Sequence, residues 1–349
     1  MMEMSGRASD SLRKHGKAGL RNSCQKIIPT IYRLVVISLA VVIVLAVGAA
    51  PFAQQPAEPS PAARLRLTLS PDDVKIYQHA RTLMDWTPQE VRSVPILHKL
   101  RFSGNQDELP AILERVGEAA LVQVKDFPKV ACDEEVYSET NLPNPLASWG
   151  GMRRNSTIHK FRYIVIPRRL DDSPAFDEYR TDAKGTPIDI ARLGDLKMIT
   201  SDFTSTWLYF SLTDQPESRF RYFGKDTAEK RQCYVVGFAQ KPEAAQNVSG
   251  FQLEDHAAAL LVQGIAWIDE KTYAIVTIRT WLLAPRTDMG LAEEDTTVNY
   301  LPVEPESFPR AIWVPHDVTV IVRFQGAYYR NSHRYSRYEL FRVQSVIKP

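Results

Sequence analysis

The residue types that most often do chemistry are present but scattered. His79, His98, His159, His256, His316 and His333 show no pair at i, i+2 or i, i+4, the spacings that bring two imidazoles onto one metal. Asp255-His256 and His316-Asp317 set an acid beside an imidazole. Neighbours in a strand point to opposite faces, so neither pair is expected to cooperate. Asp171-Asp172 and Glu293-Glu294-Asp295 read as solvated loop carboxylates. The Gly-x-Ser-x-Gly, His-Glu-x-x-His, Gly-x-x-x-x-Gly-Lys-Ser/Thr and Gly-x-Gly-x-x-Gly patterns are absent. Gly224-Lys225-Asp226-Thr227 lacks the upstream glycine of a phosphate loop and reads as a hairpin turn. No catalytic set, cofactor or metal is expected.

Two further groups carry chemistry of a softer kind. Cys132 and Cys233 are the thiols that remain if the N-terminal leader is removed, and an oxidising compartment would let them join; two separate buried thiols is the alternative. The stretch Tyr328–Tyr338 interleaves aromatics with Arg330, Arg334 and Arg337. In the cytosol that mixture would fit single-stranded nucleic acid. In an exported protein it points to anionic lipid headgroups or an envelope polymer, or to the outward face of a final hairpin.

Export is read from the first 53 residues. Residues 1–33 hold seven cations and two anions, a net +5, and Leu34 to Ala50 are without charge. The whole chain is only +2, so everything after Ala50 is −3, which gives no reason to expect a nucleic-acid partner. A basic segment, an apolar run and the small residues Val47 to Ala53 follow the order of a signal peptide. The 17-residue apolar run also reaches the lower limit of a membrane-spanning helix, so an uncleaved inner-membrane anchor is the other reading. Both deliver the rest of the chain across the membrane. Residues 54–64, rich in proline, read as an extended linker.

The elements that must position these residues fall into two blocks. Over 65–130, Ser70-Pro71-Asp72-Asp73 reads as a helix start, Pro88 to Pro95 as a short helical segment, and Asp107 to Pro110 as the start of an amphipathic helix through Val122. Over 131–349 the period becomes that of strands: His159–Pro167, Asp177–Asp182, Arg219–Gly224, Gln232–Gln240, Leu260–Asp269, Thr272–Leu283, Thr296–Val303, Trp313–Phe324 and Ser336–Val346, with a short helix over Ser201–Phe210. Tyr234, Val236 and Phe238 share one face, as do Val318, Val320 and Val322. Asp269-Glu270-Lys271 reads as a tight hairpin turn, so the strands are antiparallel. The expected class is α+β, helices covering an apolar sheet face.

The segments Phe220–Gly224, Cys233–Gly237, Gly264–Asp269 with Thr272, and Trp313–Val320, together with Tyr329-Arg330-Asn331 and His333–Ser336, resemble exported bacterial proteins of the outer-membrane lipoprotein-sorting (LolA/LolB-like) type. That resemblance implies a strongly curved antiparallel sheet, an unclosed barrel wrapped around helices, with a concave side able to hold lipid or acyl chains. It brings no catalytic residues. On this reading Phe238, Trp267, Tyr273, Ile275 and Val320 line the concave side, and the protein is a non-enzymatic envelope protein with a lipid or lipoprotein partner. An interaction module with a filled core and a hydrolase of unassigned specificity are the alternatives.

Overall fold

The computed structural model describes residues 68–143, 151–170, 173–188, 193, 203–204, 206–246, 248–252, 257–304 and 310–341. The leader, the linker, Asp171-Asp172 and Asp255-His256 lie outside them. Three α-helices open the described part. In α1 (Pro71–Tyr77) the Ser70 hydroxyl accepts from the Asp73 amide at 3.1 Å, and the Asp73 carboxylate accepts from the Ser70 amide at 2.9 Å, a reciprocal cap that satisfies two otherwise orphaned donors. Thr87 and Glu90 repeat the device at the start of α2 (Pro88–Ser93). The expected long helix is α3 (Leu109–Asp126), which buries Ile112, Val116 and Ala120. Among the described residues no helix is long and apolar enough to cross a membrane.

The described residues hold thirteen strands, the first between α2 and α3 and the rest after α3: β1 (Arg101–Phe102), β2 (Lys129–Pro143), β3 (Met152–Leu170), β4 (Ser173–Thr181), β5 (Ser218–Ala228), β6 (Arg231–Gln240), β7 (Ser249–Gln252), β8 (Ala257–Leu260), β9 (Val262–Asp269), β10 (Ile275–Leu282), β11 (Leu291–Val303), β12 (Ile312–Phe324) and β13 (Ala327–Phe341). Eleven form one antiparallel sheet in the order β1-β5-β6-β9-β10-β11-β12-β13-β2-β3-β4, and β7 pairs with β8. Apart from β7 and β8, the chain thus runs from β5 to β13 as neighbouring strands, and the earlier β2-β3-β4 meander docks on the last strand. The fold is α+β, and the sheet is not closed: β1 and β4 are its edges.

Curvature follows from one short segment. The 3-10 turn Thr206–Phe210 sets Trp207 against Phe176 of β4, ring centroids 6.1 Å apart, and Phe210 against Phe238 of β6, 5.4 Å apart. Those strands stand eight places apart in the sheet, roughly 38 Å if it were flat, whereas five 3-10 residues span about 10 Å. The sheet must wrap around this segment. Irregular pairing at Tyr222/Gly224, Ile275/Thr277, Leu291/Glu293, Asn299/Tyr300 and Ser336/Glu339 supplies bends of the kind that β-bulges produce. Gly224 is obligatory at the first: its φ is +126°, and a Cβ there would lie 2.0 Å from the Arg101 carbonyl.

Both faces of the sheet are covered at the β5-β6-β9-β10 end. The inner face meets α3 and Thr206–Phe210. Leu83, Val91 and Leu97 cover Phe223, Cys233, Val235, Ile265, Trp267 and Val276 on the outer face, held by Arg221 donating to the carbonyls of Met84 and Trp86 and by Gln263 accepting from the Leu83 amide. One apolar sheet face was expected; this end has two, because the first helical segments pack outside rather than inside. The strand Arg101–Phe102 also lies within the stretch expected to be helical and extends the sheet beside β5.

Several local expectations change. Gly224–Thr227 is strand, and the turn beyond it is Glu229-Lys230, both with positive φ. Glu293–Asp295 belongs to β11 rather than a loop. Tyr328–Tyr338 is one continuous stretch of β13, entered by a turn at Gln325-Gly326, so the last strand begins earlier than Ser336.

Candidate functional site

The inner face of the curved sheet gathers Phe238, Ile275 and Val320 into one apolar cluster. Alternation explains the selection, since Phe238 of β6 pairs with Gly264 of β9, and its ring lies where a Gly264 Cβ would be, 2.8 Å away. Trp267 pairs with Val235 and shares its face, the outer one. The expectation that it lines the concave side is therefore corrected: its odd position relative to Phe238 turns it toward α2, and its indole N–H donates to Asp226 at 3.4 Å. Tyr273 sits at the rim, after β9, with φ +57°. It stacks on Tyr234 at 5.9 Å under the Arg115 guanidinium and packs on the edge of the inner cluster.

Around Phe238 this face is occupied. Tyr209, Phe210 and Phe220 approach its ring with centroids 5.1, 5.4 and 6.5 Å away. Polar bonds also tie the covering segment: Tyr300 Oη donates to the Phe203 carbonyl at 2.6 Å and meets Thr206 Oγ1, Tyr209 Oη meets Ser249 Oγ at 3.1 Å, and Gln215 Nε2 donates to the Phe210 carbonyl at 2.9 Å.

The other end of the same face is charged. Glu134 of β2 accepts two bonds from Arg180 of β4, at 2.6 and 2.9 Å, one from Tyr335 of β13 at 3.0 Å, and one from Nδ1 of His333 at 2.8 Å. The side chains of Glu134 and His333 have no exposed surface. Burial opposes the charge on Glu134, but Arg180 and His333 outweigh it and hold the carboxyl down at about 2. Burial lowers His333, with Glu134 pulling the other way. An imidazole oriented by a carboxylate is the arrangement of a general base. Here Phe203 packs on the imidazole at 5.0 Å, and the group joins three strands, which is a structural assignment.

His333 was grouped in the sequence with the surface cations. Strand alternation separates His333 and Tyr335, which point inward, from Arg330 and Arg334, which are exposed; Arg337 has the parity of His333 and is exposed because the pairing shifts between Ser336 and Glu339, where its φ is +53°. Arg334 meets Asp317 at 3.6 Å, Arg337 meets Asp133, and Arg330 stands opposite Glu139, so this outer face alternates in charge. His316 and Asp317 were expected to diverge, yet they meet at 3.2 Å. The pairing skips His316, Asn299 facing Asp317 and Tyr300 facing Pro315, and the bulge brings the two side chains to one side.

The two thiols are not joined. Cys132 and Cys233 are free and buried in separate clusters, one on each sheet face. Burial first, then neighbouring acids, push both up to about 12, which leaves them unreactive thiols. Among the described residues no group of His, Cys, Asp and Glu is arranged to hold a metal.

No family model matches the chain, and no curated protein matches it. Solved structures similar to it include a DUF1329 family protein from Desulfovibrio piger, 12% identical over 68% of this chain and 95% of that one, with a TM-score of 0.34. Another, from Vibrio parahaemolyticus, is described as an outer membrane lipoprotein-sorting protein domain. It is 10% identical over 68% of this chain and 95% of that one, with a TM-score of 0.32.

Proposed function

We propose that this is a non-enzymatic protein of the bacterial cell envelope that takes up an apolar ligand, a lipid or the acyl part of a lipoprotein, on the concave side of its sheet. One observation carries the reading. The apolar part of the inner face, which includes Phe238, Ile275 and Val320, is covered beside α3 by the five residues Thr206–Phe210. Displacing so short a segment breaks few backbone bonds, and acyl chains would replace its aromatic contacts with contacts of the same kind. The basic, apolar leader supports export, with the N-terminus cleaved or kept as an inner-membrane anchor.

A second reading has its own observation. The rings enclosing Phe238 form a filled core, which suits an interaction module working through its outer strands and Arg330, Arg334 and Arg337. Organic extraction and native mass spectrometry of the protein purified from the envelope separate the two. About one lipid per chain is expected under the first reading; a lipid-free protein would leave the second.

A further inference from the structure

Three consecutive acids on β11 have different fates. Glu293 pairs outward with Arg323 at 2.5 Å, and Asp295 with Arg279 at 2.6 Å. Glu294, between them, pairs in register with Val322 and shares its strand face with Val298, a member of the inner cluster. Its Oε2 is buried and has no hydrogen-bond partner among the described residues. Val320 and Val322 lie on the same face of β12, followed two residues later by Phe324, whose ring packs on Phe251 at 5.3 Å. Burial pushes this carboxyl up to about 7, and among the described residues no charged side chain offsets it.

A buried carboxylate without a cation is costly, and the cost is removed by a partner that brings both positive charge and donors. We propose that Glu294 is the polar seat of the concave face and receives the cationic amine head of an amphiphile whose alkyl part lies on Val320, Val322 and Phe324. This rests on the apolar-ligand reading above and narrows its ligand class. An anionic head would meet like charge at Glu294, and a neutral hydroxyl would leave the ionised form unpaired.

The test is a titration of the full chain with dodecylamine, dodecanol and dodecanoate. In the wild type the amine is expected to bind about tenfold tighter than the alcohol, and dodecanoate weakest. In Glu294→Gln, which keeps the shape and removes the charge, the amine should fall to the level of the alcohol while the alcohol stays within about twofold. Glu294→Leu should show the same loss and guards against a defect of the Gln variant. Dodecanol binding with no preference for the amine, or a preference that survives both substitutions, would overturn the seat and leave the apolar-ligand reading intact. Failure of all three probes to bind would remove both.

Discussion

Around Phe238, at the β5-β6-β9 end of the concave face, the sheet meets its cover mainly through aromatic rings; around Glu134, at the β2-β4-β13 end, it buries a charge pair, an imidazole and a phenol. The first contact is non-directional, so any apolar surface of suitable shape can substitute for it. The second is directional and ties β2 to β4 and to β13, the latter across 199 residues of sequence. It sits where the early meander docks on the last strand. A slip of β2 by one residue would turn Glu134 outward and Asp133 or Glu135 inward, away from Arg180 and His333. The polar end therefore sets register, whereas the apolar contacts of the other end specify no particular partner.

The largest effects come from breaking either end alone. Glu134→Leu leaves Arg180 buried without its carboxylate and is expected to cost about 3–5 kcal/mol in urea denaturation. Replacing Glu134 and Arg180 together by Leu and Met should recover most of that loss, since the pair fixes register more than it adds stability. Phe238→Ala is expected to cost a similar 3–5 kcal/mol through the cavity it leaves. The repairs differ: benzene should restore part of the Phe238→Ala loss by filling an apolar void and none of the Glu134→Leu loss. A rescue of both would erase the distinction between the two ends.

A smaller effect separates two carboxyls of the inner face by pH. The folded-state carboxyl of Glu294 is raised from 4.5 to about 7, so its contribution favours folding below pH 4.5 and is lost as pH rises through 7. Glu294→Gln should raise stability at pH 8 by up to about 3 kcal/mol, with the difference vanishing at pH 4. Glu134 has the opposite sign. Lowered from 4.5 to about 2, it stabilises the fold above pH 4.5, and this is lost as pH falls toward 2. Thermal melts across pH 4–8 check the first, and acid titration followed by hydrogen exchange in β2 and β13 checks the second.

The strand-rich half, the cap of α1 and the sharing of one face by Phe238 and Val320 were legible because each is a local pattern: alternation, or a side chain three residues from its amide. The misplacement of Trp267 has the same origin as the correct placement of Phe238. Alternation gives relative faces within a strand, but the face of one strand relative to the next depends on register, and here Trp267 sits opposite Val235. The Glu134–Arg180–His333 group was illegible for a different reason: its members lie on three strands, and the carboxylate falls in β2, whose inward row Val130, Cys132, Glu134, Val136, Ser138 mixes apolar and polar residues. Glu294 hid within an acidic run that composition alone reads as solvated. Charge runs mark a solvated face in a loop; in a strand every second member must turn inward.

The smallest effect belongs to the outer face of the polar end. Arg334 is paired with Asp317 and Arg337 with Asp133 on an exposed surface, where each pair contributes about 0–1 kcal/mol. Replacing Arg330, Arg334 and Arg337 by Gln should therefore change stability by no more than about 1 kcal/mol, and the change should shrink as salt is added. That near-neutrality makes the triple variant informative about function. If binding to anionic vesicles falls while the fold and the bound lipid are unchanged, the outer strands carry an interaction of their own. If vesicle binding is unchanged, the intervening acids have already neutralised the surface, and the two ends of the molecule differ only on the inside.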